Sequence, residues 1–193
     1  TAVVLATTTE PLAVLAVADA IRESSVQAIR ELNAMGIRTL MLSGDNQQTA
    51  ATIAEQVGIT DARGNLLPED KLKIVAELQA AGEVVGMVGD GVNDAPALAK
   101  SFIGFAMGAA GTDTALETAD VALMKDDLRK LPAFIALSRQ ASRVLWQNIS
   151  VALGIKAVFF GLALAGMATL WMAVFADMGA SLIVVFNGLR LLR

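Results

Sequence analysis

Short apolar runs alternate with amphipathic stretches over the first two thirds of the chain, and long apolar runs take over after that. Four of the short runs predict buried strands: residues 13–18, 37–42, 84–88 and 102–107, with 121–124 as a candidate fifth. The intervals between them read as helices. Residues 24–35 carry Val26, Ile29 and Leu32 at helical spacing, and Gly36 follows as a stop. Residues 46–57 stop the same way at Gly58, and residues 68–81 start with Pro68 at a first-turn position and end at Gly82. Strands and helices alternating at this length predict βαβ units, an α/β fold with a mainly parallel sheet flanked by helices. Residues 3–5 and 13–18 also flank the turn-like segment 7–11, which would make a hairpin belonging to a neighbouring domain.

Beyond residue 132 the pattern changes. A helical stretch from about residue 133 runs into two apolar segments, 150–165 and 169–189, separated by Gly166-Met167-Ala168. A membrane-crossing helix needs ~20 apolar residues. The second segment has that length, and the first reaches it once 146–149 are included. The boundaries expected are therefore a domain over 1–132 and a juxtamembrane helix plus two-helix hairpin over 133–193. Arg139 and Arg143 precede the hairpin, and Arg190 and Arg193 follow it, so the positive-inside rule puts both ends in the cytosol.

Charge follows the same division. Residues 1–136 hold 18 acidic and 10 basic side chains, and residues 137–193 hold one acidic and five basic. An acidic front half argues against nucleic acid as a partner, and a basic-flanked apolar tail argues for a lipid membrane. The chain has no cysteine and no histidine, which excludes disulfides, thiolate metal sites and imidazole bases within it. It starts at Thr1 inside a strand-like run and reads as a piece of a longer protein.

The candidate chemistry lies where strands end. Run 37–42 leads into Ser43-Gly44-Asp45-Asn46, run 84–88 into Gly89-Asp90-Gly91-Val92-Asn93-Asp94, and run 13–18 into Asp19. In an open parallel sheet, ligands bind outside the carboxyl ends of the strands, where all three acidic ends would meet. Gly44 and Gly91 allow close backbone approach to a phosphate. Asp90 and Asp94 are hard oxygen ligands suited to magnesium. Ser43 and Asn93 can donate to phosphoryl oxygens, and Lys71, at the start of the third helix, can place a positive charge there. Ser43–Asn46 alone is equally what a tight turn uses. Residues 89–96 concentrate more donors and acceptors than a turn needs. No residue in the set is an obvious nucleophile.

In the hairpin, Lys156 is ten residues before Gly166 and Asp177 is nine after Ala168. At ~1.5 Å per residue both lie about 14–15 Å from the turn, near the middle of a ~30 Å hydrocarbon core. Opposite charges at one depth on neighbouring helices could reach each other, either as a static lock or as part of a functional site. Charges at that depth are costly and default to function.

Residues 89–98, Gly-Asp-Gly-Val-Asn-Asp-Ala-Pro-Ala-Leu, resemble the hinge motif of P-type ATPases of the haloacid dehalogenase superfamily. Ser43-Gly44-Asp45-Asn46 resembles that family's Thr-Gly-Asp-Asn motif, with Ser for Thr. Leu67-Pro68-Glu69-Asp70-Lys71 resembles its Pro-x-x-Lys segment, and Asp19-Ala20-Ile21-Arg22 its Asp-x-x-Arg segment. The resemblance spans essentially the whole chain. It implies a Rossmann-like phosphorylation domain, of which residues 1–132 are the second half, followed by the last two transmembrane helices. It implies Mg2+ at Asp90 with Asp94 close by, and phosphoryl binding by Lys71, Ser43, Gly44 and Asn93. Asp45 would sit at the hinge toward a nucleotide domain that binds ATP. The aspartate that takes the phosphoryl group belongs to an Asp-Lys-Thr-Gly-Thr motif that this chain lacks, so the chain alone is expected to be inactive.

Asn148 to Arg193, with Lys156 and Asp177-Met178-Gly179, resembles the final helices of the zinc/cadmium/lead subclass. There the aspartate helps bind the transported ion and the lysine is its counter-ion. The expected function is ATP-driven export of Zn2+, Cd2+ or Pb2+ across the plasma membrane, with the upstream remainder of the same pump as partner. Residues 140–149 would transmit motion from the domain to the membrane. A copper(I) pump is disfavoured by Lys156 and Asp177. A membrane-tethered phosphatase would share the acidic strand ends without needing the matched charges, and a truncated product acting as an interaction module is the non-enzymatic alternative. Met167, Met172 and Met178 read as packing.

Overall fold

The computed structural model describes residues 2–7, 10–16, 20–90, 93–107 and 118–192. The chain divides into two units, Thr1–Pro132 and Ala133–Arg193.

The first unit contains β1 (Ala2–Ala6) and β2 (Pro11–Ala16), then α1 (Glu23–Ala34), β3 (Leu40–Leu42), α2 (Gln47–Val57), β4 (Asp61–Arg63), α3 (Pro68–Ala80), β5 (Gly86–Gly89), α4 (Ala95–Lys100), β6 (Ile103–Met107) and β7 (Val121–Leu123). The helices stop where glycine permits it. Gly58 caps α2 in the left-handed region at φ 84°, and Gly82 follows α3 at φ 87°. Asn46 starts α2 by accepting from the Thr49 N–H at 2.8 Å. Pro68 opens α3, and the Asp70 carboxylate reaches back to the Leu67 N–H at 2.9 Å.

The sheet is parallel, but in two fragments. β3 pairs with β4, and β5 pairs with β6, which pairs with β7. Helix α2 connects β3 to β4 and helix α4 connects β5 to β6, as parallel pairing requires. A core of Val75 from α3, Met87 from β5, and Ala97 and Leu98 from α4 is buried, with Val85 packed against it. That core packs α3 together with α4 and β5.

The first two strands form the hairpin expected of residues 3–5 and 13–18, and so take β2 out of the set of parallel strands. β2 pairs antiparallel with β1 in a hairpin, with Val4 opposite Val14 and Leu5 opposite Ala13. β2 therefore does not pair with the parallel strands, because a short turn allows direct antiparallel return whereas parallel pairing needs a crossover. Asp19, expected at the sheet's carboxyl edge, lies outside the described residues.

The second unit is helical. α5 (Lys130–Leu164) is one unbroken 35-residue helix that begins within the first unit, and α6 (Leu170–Gly188) follows after the Gly166 turn, with Gly166 at φ 73° and Thr169 capping the Met172 N–H. A 3₁₀ turn, Leu189–Leu192, ends it. Both helices are long and apolar enough to cross a membrane, and the chain itself buries almost none of their apolar windows, 0% for α5 and 6% for α6. A helical layer of a soluble domain would bury its apolar face.

The entry to α5 is a strained turn. Lys125 and Asp126 both have positive φ, 67° and 51°, which non-glycine residues rarely adopt. Lys130 donates to the Met124 carbonyl across this turn. Asp127 then accepts from the Arg129 side chain and backbone, and these bonds, together with the nearby positive charges of Arg129 and Lys130, lower its pKa from 3.8 to about 2. Its carboxylate thus helps order the helix start above pH 3.8, and that contribution is lost as pH falls through about 2. Arg129→Ala is expected to return the Asp127 titration toward 3.8, measurable from its carboxyl carbon shift by NMR; a midpoint still near 2 would contradict the assignment.

Candidate functional site

Two polar clusters stand at the carboxyl ends of β3 and β5. At β3, the Ser43 hydroxyl donates to an Asp45 carboxylate oxygen at 3.0 Å and accepts from the Asp45 N–H at 3.1 Å. Ser43 N–H donates to the Arg63 carbonyl and its own carbonyl accepts from Leu66 N–H, so the loop after β4 is tied to it. Gly44 lies against the Leu66 carbonyl: a Cβ there would be 3.5 Å away. Sequence reading missed Gly64, which this arrangement needs. A Cβ at Gly64 would lie 2.5 Å from Gln47 Cα and 2.8 Å from the Asp45 carbonyl, both backbone. Its only sequence signal is a glycine next to Asn65, which itself has φ 57°. Gly64→Ala is expected to destabilise the first unit by about 1–3 kcal/mol, since backbone cannot yield as a side chain can. Denaturant unfolding with an unchanged midpoint would contradict that.

At β5, Lys71 from the first turn of α3 donates through Nζ to Asp94 Oδ1 at 2.8 Å. The pair is mostly covered, with side-chain exposures of 14% and 13%. Gly89 makes the approach feasible, because a Cβ on it would lie 2.6 Å from Asp94 Oδ2. The carboxylate thus leans over the glycine backbone at the end of the strand. Asp90 and Asn93 are exposed beside it. Gly91 lies outside the described residues.

A cavity of about 450 Å³ opens at the ends of β5 and β6, lined by Gly89, Asp90 and Met107, and across from them by Arg22, Ser25 and Asp126. Arg22 Nη1 donates to the Asp126 carbonyl at 3.5 Å, and Asp126 Oδ1 is buried with no hydrogen-bond partner. The strand-end rule led to Asp90. It gave no hint of Asp126, which lies 36 residues further along the chain.

The donor set suits a hard divalent cation that takes few ligands from the protein. No group of three or more His, Cys, Asp or Glu side chains that could hold a metal ion is present among the described residues. Mg2+ characteristically takes one or two carboxylates and completes its shell with water and phosphate oxygens. Asp90 and Asp94, with Asp94 held by Lys71 over Gly89, fit that pattern. The structure brings Lys71 to Asp94 and Ser43 to Asp45. No hydrogen bond or ion pair among the described residues links the two clusters directly.

In the helical unit, Lys156 and Asp177 are both exposed, and neither takes part in the four ion pairs of the described residues. The Asp177 carbonyl accepts from the Ser181 hydroxyl at 2.9 Å. Equal depth does not bring two side chains together unless both also point along the line between the helices.

A parallel α/β unit with acidic loops at its strand ends, and a lysine drawn to one of those carboxylates, is the phosphoryl-handling arrangement of one hydrolase superfamily. The chain belongs to the haloacid dehalogenase-like hydrolases, whose family model matches residues 1–101. Among curated proteins, it is 54% identical over its full length to a "Probable cadmium-transporting ATPase" of Alkalihalophilus pseudofirmus, of which it covers 27%. It is 47% identical over its full length to the "Zinc/cadmium/lead-transporting P-type ATPase" of Escherichia coli, of which it covers 26%. Among solved structures, a zinc-transporting PIB-type ATPase in its E2.Pi state superposes with a TM-score of 0.89 at 46% identity, over 96% of this chain and 30% of that one. The chain thus spans about a quarter of the length of the curated relatives it matches.

Proposed function

We propose that this chain is the magnesium- and phosphoryl-binding half of the phosphorylation domain, plus the last two membrane helices, of an ATP-driven pump exporting Zn2+, Cd2+ or Pb2+. The observation that carries the proposal is the Lys71–Asp94 pair over Gly89 at the end of β5, on the same chain as two uncovered apolar helices bearing Lys156 and Asp177.

In this reading Asp90 and Asp94 hold Mg2+, which neutralises charge on the transferred phosphoryl group. Lys71, at hydrogen-bond distance from Asp94, presents its ammonium to that phosphoryl group, and Ser43, Gly44 and Asn93 orient it by hydrogen bonds. Asp45, which accepts from Ser43 at 3.0 Å, holds the Ser43 loop toward the nucleotide domain that delivers ATP. The accepting aspartate is supplied by the upstream part of the pump, on a strand that completes the sheet whose fragments end at β3 and β5. The unbroken α5 carries phosphorylation-driven movement toward the membrane. There Asp177 binds the ion and Lys156 replaces its charge after release. α5 and α6 cross the plasma membrane with both hairpin ends in the cytosol.

The test compares this chain with the complete protein. Incubated with γ-labelled ATP and Mg2+, the 193-residue chain is expected to take up no acid-stable phosphate, while the complete protein forms an acid-stable, hydroxylamine-sensitive phosphoenzyme. Stable incorporation into the chain alone would overturn the division of labour.

A further inference from the structure

Apart from Lys156, Asp177 and a few hydroxyls, the helices α5 and α6 present polar side chains mainly at the end remote from the Gly166 turn. There one side chain is fully engaged. Asn187 Nδ2 donates to Asn148 Oδ1 at 2.9 Å and to Gln147 Oε1 at 3.3 Å, while Asn187 Oδ1 accepts from Arg190 Nη1 at 3.0 Å. Every atom faces its chemical complement: the amide nitrogen meets two carbonyl oxygens, and the amide oxygen meets a guanidinium that can only donate. Asn148 is 18 residues before Gly166, so the network lies about 27 Å from the turn, toward the far edge of a ~30 Å hydrocarbon layer.

We infer that Asn187 is a positioning residue whose bond to Asn148 sets both the level and the facing of Asp177 relative to Lys156. The level follows from counting. Lys156 is eight residues after Asn148 and Asp177 is ten before Asn187, about 12 and 15 Å from the network. The two charges therefore differ in height by about 3 Å, less than one helical turn. The facing follows from the ~100° turned per residue. With the shorter Asn187–Asn148 bond taken as the line joining the helices, eight steps from Asn148 carry Lys156 about 80° off it, and ten steps back from Asn187 carry Asp177 about 80° off it too. Because the helices run antiparallel, both deviations fall on the same side of the hairpin.

Lys156 and Asp177 thus share one face without pointing at each other, which accounts for their lack of an ion pair in the structure. That face is suited to a cation held by Asp177 and ligands from other helices, with Lys156 beside it. Had residue 186 or 188 met Asn148 instead, Asp177 would swing by about 100°, off that face. Asn187 therefore governs the site from ten residues away.

The inference about the transport site rests on the proposed function; the bond and the facing do not. Two readouts keep them apart. The chain has no cysteine, so Leu153→Cys and Leu182→Cys, at positions 62% and 58% exposed, can carry spin labels for distance measurement in lipid nanodiscs. The parent should give a narrow distribution. Asn187→Ala should broaden it or shift its mean, and adding Asn148→Ala should do nothing further, because the bond is already gone. The Asn187 side-chain amide protons should also exchange faster in Asn148→Ala, a signature that does not depend on the labels. A distribution in Asn187→Ala matching the parent, or effects of the two substitutions that simply add, would overturn the positioning role.

In the complete protein, Asn187→Ala should raise the half-stimulating Zn2+ concentration about three- to fifteen-fold while the phosphoenzyme still forms. An unchanged half-stimulating concentration in a variant whose helices have moved would overturn the link to Asp177. Absence of metal stimulation in the parent would instead refute the pump reading and leave the distance result standing.

Discussion

Asp177→Ala in the complete protein is expected to abolish zinc-stimulated ATP hydrolysis. The carboxylate is the only acidic group between residues 128 and 193, and the resemblance to the zinc/cadmium/lead subclass gives it the ion. In the proposed membrane placement a charge at that depth costs about 3 kcal/mol or more, which favours an ion-binding duty over a passive one. Removing it should leave phosphorylation from inorganic phosphate intact, since the proposed function assigns that chemistry to the other unit. The check is ATPase activity with and without Zn2+, alongside phosphoenzyme formation from phosphate. Full zinc stimulation in the variant would remove Asp177 from the transport site.

The second large effect is expected for Lys71. Its Nζ lies 2.8 Å from Asp94 Oδ1 in a mostly covered position. Lys71→Ala does two things at once. On the proposed function it removes the cation assigned to the transferring phosphoryl group, which should lower turnover by about 10²–10³-fold. It also leaves the Asp94 carboxylate without its partner, which should cost about 3 kcal/mol of stability in the first unit. Pairing it with Asp94→Asn separates the two effects. The double variant should recover much of the stability, because no mostly covered charge is left unpaired, but none of the turnover. A Lys71→Ala protein that keeps its turnover would show that the pair serves structure only.

Much of the fold was legible because its punctuation is local. The stop at Gly58, the start at Pro68 and the turn at Gly166 are decided by backbone freedom within one or two residues. β4 was invisible for the opposite reason. Asp61–Arg63 is three residues with one apolar side chain, and its pairing with β3 holds it through the backbone, which leaves no pattern in the sequence. α4, at six residues, is too short for periodicity to show. α5 begins at Lys130 rather than near 133, because proline in a first turn loses no hydrogen bond and so Pro132 does not end it. β2 read both as a buried strand like the others and as half of a hairpin with residues 3–5, and its partner is β1. An apolar run alone does not say whether a strand is parallel or antiparallel.

The candidate site divided in the same way. Asp90, Asp94 and the Ser43–Asp45 turn follow from the strand-end rule, since acidic loops after apolar strands mark where ligands sit. The Lys71–Asp94 contact joins residues 23 apart and depends on how α3 packs on Met87, Ala97 and Leu98, which spacing does not encode. Matched depth made Lys156 and Asp177 look like partners. The direction each points depends on which residues of α5 and α6 face each other, and Asn148 with Asn187 supplies that only once the structure is known.

Metal-stimulated ATP hydrolysis by the complete protein tests the account most directly, with Zn2+, Cd2+, Pb2+ and Cu+ supplied separately at buffered free concentrations. Stimulation by the three divalent ions and none by Cu+ is the predicted result. Stimulation by Cu+ alone, or hydrolysis of simple phosphate esters with no response to any metal, would contradict it.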